Sequence, residues 1–404
     1  MIARKTGDYL YTFEKSTGMT GVFSGRELSL LEDYLATGKA TPFIERLFTL
    51  GILKDETGCQ EITAALQEQN TLGLEALHIE LTDKCPLHCP QCYKKEQAGQ
   101  DLPWEFLTKL IAEAQKLKLC QIAFGGGEPL VYPRLLQAVA LVGHTQMAVS
   151  ITSSGYGLTK HLLCELTKAG LNHMQISLNS LQEQINVLSR DGYQHALKAL
   201  HLLSKEGLSF GINYVARADN LASFEELADY AADIGADNIN ILRYKPSNGE
   251  DYYTNALSDE QTQNLAHKIR RSRGVKIKVD SAYTQLLAYL HQSRLDSLRA
   301  GCGAGKTFLA VTPDGGFKPC SHLPLQQQAQ GIEDYCLKST QLALFNKVRQ
   351  KLTGLCGACL YNSLCGGCRA VCLHTGGKLA AGEKNCIAFT RRDDKCLNIG
   401  KAMK

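Results

Sequence analysis

Residues 76–92 read ALHIELTDKCPLHCPQC, and how this stretch is read decides the fold. Its first seven residues, ALHIELT, form a strand candidate bounded by polar residues. Directly after it Cys85, Cys89 and Cys92 recur at i, i+4 and i+7. Three cysteines in one loop can point at a single iron–sulfur cluster. A fourth iron is then left without a protein ligand, free to bind and activate a small molecule. A zinc site would want four closed ligands. His88 is the nearby candidate for a fourth, but it lies inside the loop between two of the cysteines.

Downstream of the loop, strands alternate with helices. Strand candidates are 120–125, 147–152, 173–178, 209–215 and 238–243, with helical periodicity at 103–118, 132–142, 158–168, 193–205 and 223–234. Each crossover is helix-sized, which calls for parallel strands joined by right-handed connections. Six such units are fewer than the eight of a closed barrel. The expectation is an α/β fold, a partial (β/α)6 barrel over residues 75–250, open on one side to admit a large substrate. After about residue 258 the alternation stops. A helical bridging region over 251–300, with helices at 258–271 and 281–298, leads into a Gly- and Cys-rich segment over 301–404. Around Asp314-Gly315 that segment carries a hairpin signal. With little apolar core, it is expected to depend on metal for its folding.

The chain has 404 residues, which suggests two or three domains, and its 44% apolar and 21% charged residues are ordinary for a globular protein. Its net charge of +4 comes without a basic run that would mark a nucleic-acid or membrane patch. The first residues turn polar before any signal-peptide core, and no stretch reaches a membrane-spanning length of apolar residues. The expected location is cytoplasmic and reducing. Sixteen cysteines are too many there for core thiols alone, and clustered ones more often bind metal than form disulfides. Three fall between 85 and 92, and ten between 302 and 396. Composition alone therefore suggests two metal-binding regions.

Residues 1–70 read as a separate unit. Alternation at Tyr9–Glu14, a turn at Ser16-Thr17-Gly18 and Thr20–Phe23 make a hairpin. Ser24 and Glu27 suggest a capping box ahead of Leu28, Leu31 and Leu35, and a second helix fits Pro42–Leu50. Together these resemble a winged-helix module. Its second helix lacks a basic face, which argues against nucleic acid. Peptide binding by strand addition to the hairpin edge is the favoured use, and a plain cap on the barrel is the bland alternative.

The cysteine loop after the first strand, with Gly126-Gly127-Glu128-Pro129 after the second, resembles the radical S-adenosylmethionine superfamily over about residues 75–250. The resemblance implies a [4Fe–4S] cluster on Cys85, Cys89 and Cys92, whose open iron binds the methionine amine and carboxylate. Cleavage of the sulfonium then gives a 5′-deoxyadenosyl radical that takes hydrogen from substrate. The residue before the last cysteine, commonly aromatic in the family, is Gln91 here, with Tyr93 following Cys92 as a candidate cofactor contact. Glu128 is placed to pair with the methionine ammonium. By the family pattern Ser154, Ser177 and Asn179, at the ends of the third and fourth strands, are candidates for the ribose, and Arg190 for the methionine carboxylate. A solvated surface arginine is the alternative for Arg190.

The C-terminal cysteines resemble the SPASM extension of such enzymes, including the hairpin at Pro313-Asp314-Gly315 and Cys365-Gly366-Gly367-Cys368-Arg369. This implies two auxiliary [4Fe–4S] clusters, one on Cys302, Cys320 and Cys368, the other on Cys356, Cys359, Cys365 and Cys386. The gap between Cys365 and Cys368 is one residue shorter than the usual pattern, and residues 290–301 lack the extra cysteine that completes the first auxiliary cluster in some relatives. An open iron there is one reading; completion by Cys336 or Cys372 is another. Cys396 is unassigned, and a zinc pair of C-x2-C sites is the alternative for the region.

A winged-helix-like unit before such an enzyme resembles the leader-recognition domain of peptide-modifying enzymes. The expected function is modification of a ribosomally made precursor peptide, leaving a thioether or carbon–carbon cross-link. The precursor would be the partner, and flavodoxin or ferredoxin the external electron donor. Alternatives are a sulfatase-maturase-like formylglycine-forming enzyme, a quinone-cofactor or haem-pathway relative, or a non-catalytic iron–sulfur redox sensor. No general base stands out.

Overall fold

The computed structural model describes residues 1–386 except 16–18, 54–55, 69–71, 95–98, 292–300, 360–361, 363–364 and 384–385. Cys396 and the first hairpin turn lie outside the described residues.

Three strands open the chain: β1 (Ile2–Thr6), β2 (Tyr9–Glu14) and β3 (Met19–Phe23), an antiparallel sheet in the order β1-β2-β3. Helices Gly25–Thr37, Pro42–Thr49 and Glu56–Gln67 follow. One strand and one helix therefore add to the hairpin and two helices read from sequence. The basic IARKT of β1 carries little strand signal, and the third helix contains Thr57 and Gly58, poor helix formers. Both are held by burial: Ala3, Leu10, Leu28, Leu31, Ile44, Leu47 and Ile62 form one small core. The expected capping box is not formed. Ser24 makes no side-chain cap bond, and Glu27 N–H donates to the Ser24 carbonyl instead.

The second sheet holds β4 (Ala76–Thr82), β5 (Gln121–Gly126), β6 (Ala148–Ser153), β7 (His173–Ser177), β8 (Phe210–Ala216) and β9 (Asn238–Arg243), all parallel neighbours in chain order. These are the six strands expected, displaced by a residue at most. Helices on their outer face bury apolar stripes, such as Leu107, Leu110, Ile111 and Ala114 of Trp104–Lys116. Covered on both faces, the interior strand β8 is buried along its whole length.

The sheet does not stop there. β10 (Lys276–Val279) pairs parallel to β9, and β11 (Phe308–Val311) pairs parallel to β4 on the opposite side. β12 (Gly316–Lys318) and β13 (Gln327–Gln328) then continue it antiparallel. The alternation thus does not end at residue 258. KIKV of β10 has half-exposed and exposed positions and so lacks an apolar run. The Asp314-Gly315 hairpin forms as expected, with Val311 opposite Phe317. Because β11 pairs with β4, the Cys-rich segment is stitched into the same sheet. Its own core is small, built from Tyr252, Leu323, Leu325, Phe345, Ala370 and Val371.

Ile2 and Phe13 of the N-terminal unit belong to the main core. Lys15 Nζ donates to the carbonyls of Gly143 (3.0 Å) and Thr145 (2.8 Å), which ties that unit to the barrel.

Candidate active site and cysteine centres

The register of β4 against β5 shifts between Glu80 and Thr82, and this bulge turns the strand end into the cysteine loop. Gly126 faces it at φ +115°, where a Cβ would stand 2.5 Å from the Thr82 carbonyl oxygen. A Cβ on Gly127 would run into the Lys84 carbonyl oxygen. Gly127 N–H donates to Thr82 O (2.7 Å) and Glu128 N–H to Lys84 O (2.9 Å). The glycines are therefore needed for contact between the two strand ends of the protein itself, not only for approach of a ligand.

On the far side the loop is held by the segment after β7. Gln91 N–H donates to Ser189 O (3.2 Å), His88 N–H to Asp191 Oδ2 (3.1 Å), and Asp191 N–H to the Cys89 sulfur (3.4 Å). His88 is thus turned to Asp191 through its backbone. Beyond Cys92, Glu80 accepts from Tyr93 Oη (3.0 Å) and Lys94 Nζ (2.6 Å). Burial would raise this carboxyl, but Lys94, His78 and the Tyr93 hydroxyl together outweigh it and hold Glu80 below its ordinary value.

Glu128 is 1% exposed. Its Oε1 accepts from Ser153 Oγ (2.7 Å) and Leu130 N–H (3.1 Å), and its Oε2 from Ser154 Oγ (2.5 Å) and Ser154 N–H (2.9 Å). Burial raises its carboxyl despite these four donors. A carboxylate has about four lone-pair sites, so an ammonium reaching Glu128 would displace a serine hydroxyl. Ser154, expected at a ribose, is here bound to Glu128. Asn179 is fully buried; its Nδ2 donates to Ser189 Oγ (2.7 Å) and its Oδ1 accepts from Val215 N–H (2.9 Å). Its side chain is committed to fixing the loop after β7. Ser177 ends β7 and is 4% exposed. Pro129 starts the short 3-10 turn that Glu128 caps. Tyr93 has its hydroxyl on Glu80 and its ring 4.6 Å from that of His322.

Arg190 lies close enough to Cys89 to lower that thiol, against the burial that raises it. Its Nε is buried without a hydrogen-bond partner, as is Gln91 Oε1. Burial pushes the Cys85 thiol up to about 11. Three thiols beside an unpartnered guanidinium nitrogen fit a cofactor with an anionic group, and ligation must release the thiol protons.

The C-terminal cysteines divide into two neighbourhoods. Cys302, Cys320 and Cys368 line one cavity of about 210 Å³, together with His78, Tyr93, Lys245, Asp280 and His322. Burial pushes Cys302 up to about 11 and Cys320 to about 12, and their sulfurs accept the backbone N–H groups of Ala304 and His322. Cys356 lies in the second neighbourhood, accepting from Glu383 N–H (3.3 Å) and Arg369 (3.6 Å). Cys365 accepts from Gly367 N–H (3.3 Å) and donates to Thr284 Oγ1 (3.2 Å). Cys359 follows one turn after Cys356, and Cys386 lies three residues beyond Glu383. Such N–H···S bonds suit cluster thiolates, whose potentials they set. Among the described residues no three metal-binding side chains close around a single ion position. A cluster, with irons and sulfides between its thiolates, holds them further apart.

Of the cysteines considered for completing the first auxiliary site, Cys336 packs against the main core near Glu113 and Glu333 and does not line the cavity. Cys372 is buried and hydrogen-bonded to Cys356, which lowers Cys356 to about 6.

Sequence reasoning missed the group that joins these neighbourhoods. Arg243, at the end of β9, makes a bidentate pair with Glu383: Nη1 to Oε2 at 2.9 Å, and Nη2 to Oε1. Gln285 also donates to Oε1, and Cys368 N–H to Oε2 (3.0 Å). Glu383 thus touches the Cys368 backbone with its carboxylate and Cys356 with its N–H. The sequence signal was a charge ending the strand segment NINILR. Lys245 and Asp280 (3.2 Å) form a second pair lining the cavity. Burial opposes both charges, but each ion holds its partner charged, Lys245 raised and Asp280 lowered.

Residues 79–231 match the Radical SAM superfamily. A PqqA peptide cyclase of Streptomyces rochei is 30% identical over 257 residues, 60% of this chain and 68% of that protein. The chain belongs to the radical SAM superfamily. Members of that superfamily use a [4Fe–4S] cluster with S-adenosylmethionine. The mycofactocin maturase MftC of Mycobacterium tuberculosis is 27% identical over 349 residues, 80% of this chain and 86% of that protein. Among solved structures, Streptococcus suis SuiB bound to precursor peptide SuiA shares the fold, with TM-score 0.70 and 16% identity, over 95% of this chain and 98% of that one. Among the described residues no helix is long and apolar enough to cross a membrane.

Proposed function

We propose that this chain modifies a ribosomally made precursor peptide by radical chemistry, forming a thioether or carbon–carbon cross-link within it. The observation that carries this reading is the contact between Tyr93 and His322. It sets the residue after Cys92 against a residue two after Cys320, which supports a reading with two cysteine centres near one another. Cross-linking by hydrogen abstraction leaves a surplus electron, and a second centre, flanked by a residue that meets one flanking the first, would give it a destination.

A [4Fe–4S] cluster on Cys85, Cys89 and Cys92 would supply reductive cleavage of S-adenosylmethionine, and with it a radical able to take an unactivated hydrogen. Around it, Gly126 and Gly127 bring the β5 end against the loop, and Glu128 with Ser154 offers a buried acceptor to an ammonium. Pro129 fixes that turn. Arg190 presents an unpartnered donor suited to a carboxylate, and Ser177 is left for the ribose. Cys302, Cys320 and Cys368 would hold one auxiliary cluster; Cys356, Cys359, Cys365 and Cys386 would hold the other.

Residues 1–70 would act as the winged-helix-like leader-binding module. β3 is an outer strand of its three-stranded sheet, and an extended leader can add to that edge through main-chain hydrogen bonds. Two relatives that the chain resembles are named for a peptide cyclase and a maturase, and the SuiB structure holds a precursor peptide. The chain would work in the reducing cytoplasm, with flavodoxin or ferredoxin as electron donor.

The test is anaerobic reconstitution, addition of dithionite and S-adenosylmethionine, and assay for 5′-deoxyadenosine. None forming from fully loaded protein sinks the enzyme reading. Cys85→Ala with Cys89→Ala should remove about a third of the bound iron if three clusters are present. A peptide encoded beside this gene should lose the mass of two hydrogens on cross-linking.

A further inference from the structure

The cavity that gathers Cys302, Cys320 and Cys368 contains no fourth cysteine among the described residues. Its other side chains able to bind iron can be compared by what already occupies them. His78 Nδ1 is hydrogen-bonded to Ser321 Oγ at 2.9 Å, and its Nε2 is turned to Gly125. Asp280 is taken by Lys245 (3.2 Å) and by Ala282 N–H (2.9 Å). The Tyr93 hydroxyl is on Glu80. His322 differs from all of these. Its backbone carbonyl meets His374 Nε2 (3.5 Å), and its backbone N–H serves the Cys320 sulfur. Its ring meets that of Tyr93 at a tilt of 47°, and neither ring nitrogen is engaged in a hydrogen bond among the described residues. Two residues from Cys320, that ring is tied to the thiol by a hydrogen-bonded turn.

We infer that His322, through a ring nitrogen, is the fourth ligand of the cluster held by Cys302, Cys320 and Cys368. The inference rests on the proposed auxiliary site. The ring nitrogen contributes its lone pair, and no electron or proton leaves on ligation. A neutral imidazole in place of a thiolate removes one negative charge from the centre, which raises its reduction potential. The centre nearest the first cysteine loop thereby becomes the better electron acceptor. Tyr93, next to Cys92 in the chain, sets its ring 4.6 Å from that of His322.

The experiment uses the full chain, reconstituted anaerobically and carrying Cys85→Ala, Cys89→Ala and Cys92→Ala so that only the C-terminal centres contribute. In the reduced protein, pulsed EPR should show a strong nitrogen coupling that changes when histidine alone is labelled with 15N. The coupling should vanish in His322→Ala. His322→Cys should keep its iron and titrate at a lower midpoint potential. No change on histidine labelling, or a coupling that survives in His322→Ala, overturns the inference. Loss of a cluster's iron in Cys396→Ser overturns it too, because a thiolate from outside the described residues is then the fourth ligand. Should His322→Ala fail to fold, the labelled parent protein decides the matter alone. Cys302→Ala separates this from the underlying reading. If it loses iron while the parent shows no histidine coupling, His322 is wrong and the cluster stands; if it keeps all its iron, both fall.

Discussion

The two cysteine regions of this protein are held in opposite ways. The Cys85–Cys92 loop is pinned by main-chain bonds together with the Asp191 carboxylate, which accepts from His88 N–H. Strand ends close on it through Gly126 and Gly127, and main-chain bonds reach Thr82, Lys84 and Ser189. Beneath it lies the large core of the barrel. The C-terminal cysteines sit over a small apolar core and are held by buried side-chain charge, with Glu383 binding Arg243, Gln285 and the Cys368 backbone. A loop built on backbone can form once the barrel has formed. A segment held in part by buried ion pairs depends on both partners of each arriving, and on whatever its thiols bind.

Breaking the Arg243–Glu383 pair should separate the regions most. Glu383→Ala leaves Arg243 buried and uncompensated, at a cost of about 3–5 kcal/mol. Thermal melts with iron analysis should show the C-terminal iron lost while the first loop keeps its own. The opposite pattern is expected of Gly127→Ala, where a methyl meets the Lys84 carbonyl; overpacking of this kind costs about 3 kcal/mol. Urea melts should register it, and iron should now be lost from the first loop.

A smaller effect tests the carboxylate behind Tyr93 and Lys94. Glu80→Gln should cost about 2 kcal/mol at neutral pH. Glu80 is depressed in the folded chain, so its contribution is present above its ordinary value of 4.5 and lost as pH falls through the lower folded value. The stability gap between wild type and variant should therefore close on acidification; a constant gap from pH 7 down to pH ~3 contradicts the assignment. Smallest is Lys15→Ala at the junction of the N-terminal unit and barrel, about 1 kcal/mol. Limited proteolysis should then cut residues 1–70 faster, with barrel stability unchanged.

Much of the barrel was legible in the chain. ALHIELT, CQIAFG and NINILR are short strand-like segments separated by amphipathic helices, and local periodicity suffices to place them. β1 and β10 were not legible, because IARKT and KIKV lack an apolar run, and neither was the pairing of β11 with β4, whose partners lie more than two hundred residues apart. Candidate site residues divide the same way. Cys85, Cys89 and Cys92 share one loop by their spacing, whereas Ser154 and Asn179 proved to spend hydrogen bonds on Glu128 and on the β7 loop.

The sequence by itself determined the parallel strands, the three-cysteine loop beside a glycine-glutamate turn, and the existence of a second cysteine-rich region. Each is a local pattern, written in residues a few positions apart. Only the tertiary structure decided that Cys302, Cys320 and Cys368 share a cavity with His322, that Cys372 lies with Cys356, and that Arg243 closes on Glu383. The pair Arg243–Glu383 spans 140 positions, and no periodicity reaches so far. Such partners are selected by which surfaces the whole sheet brings together once its strands have paired.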